Sequence, residues 1–146
     1  MSRSRPIAVR LVAWTSSAIL TLALLTGCVL TRACTMKGAF TGVSFDIGEA
    51  VPATATGLDV HACVDDECVD ESGPSAASTW VFVRLRGVNS ERVATARLTL
   101  RTNEGAVFDA TTPVTLRRHQ PNGPGCAPTV YQSTVRATST GTLVAA

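Results

Sequence analysis

The strongest constraint on the fold of this chain is an alternation. After residue 31, apolar side chains recur at every second position in short runs, each closed by turn residues. A period of two puts one set of side chains on a single face of an extended strand. In AFTGVSFDI this face carries Val43, Phe45 and Ile47, and in GLDVHACV it carries Leu58, Val60, Ala62 and Val64. STWVFVRLRG turns Val81, Val83 and Leu85 one way and Trp80, Phe82, Arg84 and Arg86 the other. TARLTLRT sets Ala96, Leu98 and Leu100 against Thr95, Arg97, Thr99 and Arg101. PVTLRR adds Val114 and Leu116, and TVYQSTVRATS sets Tyr131, Ser133, Val135 and Ala137 against Gln132, Thr134 and Arg136. A last strand is expected in TGTLVA, and turns in ESGPSA, GVNS, TNEG and HQPNGPGCAP. No window after residue 31 has the periodicity of an amphipathic helix.

About seven short strands in roughly 110 residues define an all-β class: an antiparallel β-sandwich, or a partly open barrel. Of the two, the sandwich is expected. Its pattern is loosely similar to immunoglobulin-like or transthyretin-like modules, without the tryptophan and inter-sheet disulfide of antibody domains. Trp80 is a candidate for the core.

The N-terminus obeys a different rule. Arg3, Arg5 and Arg10 precede an uncharged stretch from Leu11 to Thr31, and small residues Thr26 and Gly27 lead to Cys28. A basic start, an apolar run and a small-residue site make a secretory signal, here helical. Leu25-Thr26-Gly27-Cys28 resembles the lipobox of bacterial lipoproteins. That resemblance implies a diacylglyceryl group on the Cys28 sulfur, cleavage just before it and acylation of the new amino terminus. The order expected is a signal peptide over 1–27, a short membrane-proximal tether over 28–37 and a β-sandwich domain over 38–146. The rival reading is an uncleaved signal anchor, since the run is long enough to span a bilayer. In either case the arginines keep the start of the chain in the cytoplasm, so the domain is expected on the extracytoplasmic side of the cell membrane.

Five cysteines are present: Cys28, Cys34, Cys63, Cys68 and Cys126. An odd number in an exported chain leaves one unpaired, and lipid on Cys28 leaves four for two disulfides. Cys63 and Cys68 flank the acidic turn of HACVDDECVD and are the easiest to join. Cys34 and Cys126 then pair by exclusion, although four cysteines allow three connectivities. With Cys28 in the bilayer and Cys34 bonded, the six steps between them span at most about 20 Å. The domain would lie against the membrane. A metal reading of Cys63 and Cys68 lacks a second cysteine pair or a histidine at ligand spacing, so no metal and no cofactor is expected.

The whole chain carries +2, but without Arg3, Arg5 and Arg10 there are 10 basic against 11 acidic residues. Composition therefore gives nucleic-acid binding no support. The histidines, His61 and His119, come without a nucleophile elbow, a metalloprotease helix, a P-loop or a dinucleotide fingerprint. The acidic stretch Asp65, Asp66, Glu67, Asp70 and Glu71 lacks EF-hand spacing and reads as a solvated turn, because alternation on a hairpin spreads carboxylates.

Arg84, Arg86, Arg97, Arg101 and Arg136 fall on the polar side of three strands. If those strands are neighbours, they make one arginine-threonine face with Trp80 and Phe82 at its end. Such a face is first of all the solvated side that any sheet needs; as a binding face it would suit an anionic envelope polymer, a lipid headgroup or a membrane-protein partner. The reading is a membrane-tethered, non-enzymatic binding module. Its alternatives are an accessory subunit of a membrane complex, a signal-anchored membrane protein and, last, an envelope-acting hydrolase.

Overall fold

Among the described residues the alternating runs become eight strands: β1 (Gly42–Asp46), β2 (Leu58–Val64), β3 (Glu67–Gly73), β4 (Trp80–Arg84), β5 (Arg92–Thr102), β6 (Gly105–His119), β7 (Val130–Ala137) and β8 (Leu143–Ala145). The structure, a computed structural model, describes residues 33–52, 55, 57–73 and 79–146. The signal segment 1–27 and Cys28 lie outside the described residues. Residues 35–146 form the β unit. Among the described residues there is no helix.

Hydrogen bonding runs in the order β3-β2-β5-β6-β7-β1-β4, with β8 added alongside β7. The result is a mixed sheet nearly closed into a barrel, rather than two separate antiparallel sheets packed face to face. Every pairing is antiparallel except that of β1 with β7, which is parallel from Gly42↔Gln132 to Asp46↔Arg136. Side-chain bonds set the direction in which the chain enters β1. The backbone N–H of Tyr131 donates to Thr41 Oγ1, and Gln132 Nε2 donates to the Phe40 carbonyl.

The interior holds the faces expected from the alternation. Val43, Phe45, Ile47, Ala62, Val64, Val81, Val83, Ala96, Leu98, Leu100, Val114, Leu116, Val135 and Ala137 are all buried. Each large aliphatic or aromatic member contributes about 1.5 to 3 kcal/mol by leaving water. Trp80 is not among them; it is 52% exposed on β4.

β6 bridges the two halves of the sheet. It pairs with β5 from Gly105 to Leu116 and then with β7 from Arg117 to His119. Only its C-terminal part is expected from sequence. The N-terminal part points Phe108 and the partly buried Ala110 and Thr112 inward, a weak signal interrupted by Pro113. Proline gives no N–H to a ladder and argues against a strand, yet Pro113 sits in register with Thr95.

Candidate functional site

Two outward faces carry the polar and aromatic side chains. The first spans β3, β2, β5 and β6. Register aligns Asp70, His61, Thr99 and Asp109 in one row, Cys68, Cys63, Arg97 and Thr111 in the next, and Ser72, Asp59 and Arg101 in a third. A shallow groove of about 530 Å³ runs over it, lined by Asp59, His61, Asp70, Arg97, Arg101 and Asp109 among others.

Strand periodicity explains a cluster of histidine, aspartate and cysteine side chains on this face. His61 and Cys63 are two residues apart on β2 and therefore project together. Cys68 lies opposite Cys63 on β3, and the two form a disulfide with Cα atoms 4.1 Å apart. His61 Nδ1 is 2.6 Å from Asp70 Oδ1, and its Nε2 is 3.2 Å from Cys63 Sγ. The ring is thus fixed at both nitrogens, so His61 is not an isolated surface histidine. The donor atoms of His61, Cys63 and Cys68 lie within 4.8 Å of one another, a grouping compatible with a soft metal. Both sulfurs are engaged in their mutual bond. Reading Cys63-x4-Cys68 by zinc-finger spacing misses this histidine. The usable signal is the i, i+2 alternation of a strand.

Beside this cluster Arg97 grips Asp109 through two bonds, Nε to Oδ1 at 3.2 Å and Nη2 to Oδ2 at 3.0 Å. Those bonds hold the Asp109 carboxyl below its ordinary range and push the Arg97 guanidinium up. Thr99 donates to the same carboxylate at 3.4 Å and is buried although it faces outward.

The second face spans β7, β1 and β4. Its rows in register are Arg136, Asp46 and Trp80; Thr134, Ser44 and Phe82; and Gln132, Gly42 and Arg84. Arg136 Nε donates to Asp46 Oδ2 at 3.2 Å. Arg84 stacks on Phe40, its guanidinium carbon 4.1 Å from the ring centroid. Phe40, Trp80 and Phe82 are 53%, 52% and 37% exposed. Gly42 makes room for this arrangement, since a Cβ there would meet the Val83 carbonyl and come within 2.6 Å of Phe82 Cζ.

The five arginines therefore do not form one lattice. Arg84 and Arg136 share the second face, Arg97 and Arg101 the first, and β6 separates β5 from β7. Arg86 lies just past the end of β4 and is exposed. The condition for a single face, that the arginine-bearing strands be neighbours, is not met.

The remaining candidates have structural surroundings. Cys34 and Cys126 are disulfide-bonded, the second pair. The acidic turn is split: Asp70 projects on the outward face with Cys68, while Glu67 and Glu71 alternate to the other side. Asp65, at φ 52°, accepts from the Thr95 N–H at 2.8 Å and from Arg92 Nη1 at 2.6 Å. These bonds, the Thr95 one foremost, hold its carboxyl below the ordinary range. His119 ends β6 near Arg117, Arg118 and Gln132, on a second shallow groove. Asn122, expected only as a turn residue, is buried. Its Oδ1 accepts from Thr35 Oγ1 at 2.9 Å and from the Lys37 N–H at 2.7 Å, and its Nδ2 donates to the carbonyls of Lys37 and Ala127. Comparison with protein-family models, with curated proteins and with solved structures finds no match.

Proposed function

We propose that the protein is an exported lipoprotein, anchored through lipid on Cys28, whose β unit binds a membrane-protein partner without itself catalysing a reaction. The recognition surface is the aromatic-arginine face of β1 and β4. The observation that carries this reading is the cluster of Phe40, Trp80, Phe82 and Arg84, solvent-accessible on a strand at the end of the sheet path. Aromatic residues and arginine are enriched at protein interfaces, where they supply most of the binding energy. A strand at a sheet end also offers backbone groups to an incoming segment. Phe40 closely follows the expected tether in sequence, which favours a partner close to the bilayer.

Two measurements test this. The intact mass of protein taken from membranes is expected to fit residues 28–146 plus lipid; a full-length, lipid-free mass overturns the anchor. A photoreactive amino acid at position 80 or 82 is expected to capture one defined membrane protein in cells. The same probe at Thr140, an exposed turn residue, is expected to capture none. Equal capture from both positions, or adducts to lipid alone, overturns the docking surface.

A further inference from the structure

We propose that the Cys63–Cys68 disulfide is a thiol–disulfide exchange site with a fixed polarity, in which a small thiol attacks Cys68 and Cys63 is the leaving sulfur, protonated by His61. Three independent features converge on it. The bond joins adjacent strands on an outward face, with Cys68 exposed and Cys63 half-buried. Exposure decides which sulfur an incoming thiolate reaches, and attack along the S–S axis on Cys68 expels Cys63. His61 Nε2 stands 3.2 Å from the Cys63 sulfur, within reach of the charge that develops there.

Asp70 completes the device. Its carboxylate accepts a hydrogen bond from His61 Nδ1 at 2.6 Å, which fixes the ring with Nε2 toward the sulfur. Among the described residues, the charged groups on the cluster's face are Asp70 from β3, Asp59 from β2, Arg97 and Arg101 from β5, and Asp109 of β6, which holds Arg97. The adjoining groove, about 530 Å³, has room for a small thiol.

The step balances. A thiolate RS⁻ forms a bond to Cys68 Sγ as the Cys63–Cys68 bond breaks, and the His61 imidazolium passes its Nε2 proton to the Cys63 thiolate. The products are the Cys68–S–S–R mixed disulfide, the Cys63 thiol and neutral His61. A second thiolate resolves the mixed disulfide, so two thiols are oxidised to one disulfide and the cysteine pair is reduced. In reverse, neutral His61 removes the Cys63 proton and that thiolate expels RS⁻.

The second disulfide serves as an internal control, because Cys126 is buried. Exposing the native protein to glutathione, quenching with an alkylating agent and mapping peptides by mass spectrometry tests the proposal. Expected are glutathione on Cys68, alkylation on Cys63 and an intact Cys34–Cys126 bond. His61→Gln is expected to slow adduct formation about tenfold or more without moving the adduct from Cys68. Asp70→Asn is expected to slow it less. Persistence of the Cys34–Cys126 bond in each variant reports that the fold is kept. Glutathione on Cys63, equal labelling of both sulfurs, or an unchanged rate in a folded His61→Gln protein overturns the proposal.

Discussion

Asn122 shows how much one side chain can hold. A buried amide that meets all of its local donors and acceptors joins residues 35–37 to the loop between β6 and β7. Asn122→Ala leaves the Lys37 N–H and two carbonyls without their partner, and each such loss costs about 1 to 3 kcal/mol when water cannot replace it. The variant is expected to lose about 2 to 4 kcal/mol in denaturant melts, an effect out of scale for a loop residue. Asp65 gives a pH-dependent counterpart. Its carboxyl is held below the ordinary range by Thr95 and Arg92, so its stabilisation is complete above the unfolded-state pKa of about 4. That contribution fades as pH falls through the lower folded-state value. Asp65→Asn is expected to melt below the wild type at pH 6, and the two melting temperatures to converge as pH falls below about 4. Asp109, lowered chiefly by Arg97, acts with the same sign.

At the scale of elements, the alternation makes the inward faces of β1, β2, β4, β5 and β7 legible from the amino acids alone. It is blind to strand direction, because a period of two looks the same read either way, and so the parallel β1–β7 pairing is out of its reach. The first half of β6 is hidden for another reason: its inward positions are filled by Ala110 and Thr112, and Pro113 interrupts the run. The His61 cluster is readable in principle from strand periodicity. The aromatic face is readable as a set of residues, though not as exposed, since Trp80 has the hydrophobicity of a core residue. Two glycines differ in the room around them. A Cβ at Gly38 would have nothing within 4 Å, whereas one at Gly42 would meet the Val83 carbonyl and the Phe82 ring. Gly42→Ala is expected to cost about 1 to 3 kcal/mol through overpacking against backbone, and Gly38→Ala to stay within about 0.5 kcal/mol, both read by chemical denaturation.

For the whole molecule, one mixed sheet nearly closed on itself hides a single core while leaving two chemically unlike outer faces. β6 belongs to both halves, so damage to it is felt throughout. Leu116, fully buried near the point where β6 changes partner, is the position at which this is expected to show. Leu116→Ala should cost about 2 to 5 kcal/mol. It should also raise amide hydrogen exchange in β5 and β7 together; exchange confined to one of them would mean the halves open separately.

The parallel pairing of β1 also has a consequence in time. A ribosome makes residues 42–46 before either of their neighbours: those on β4 come about 40 residues later and those on β7 about 90 residues later. Until then Val43 and Phe45 have no lasting shelter. Pairings so distant in sequence make folding slow, in the range of milliseconds to seconds for sheet-rich domains of this kind. The nascent chain must therefore be kept from sticking to its neighbours while β1 waits for β7.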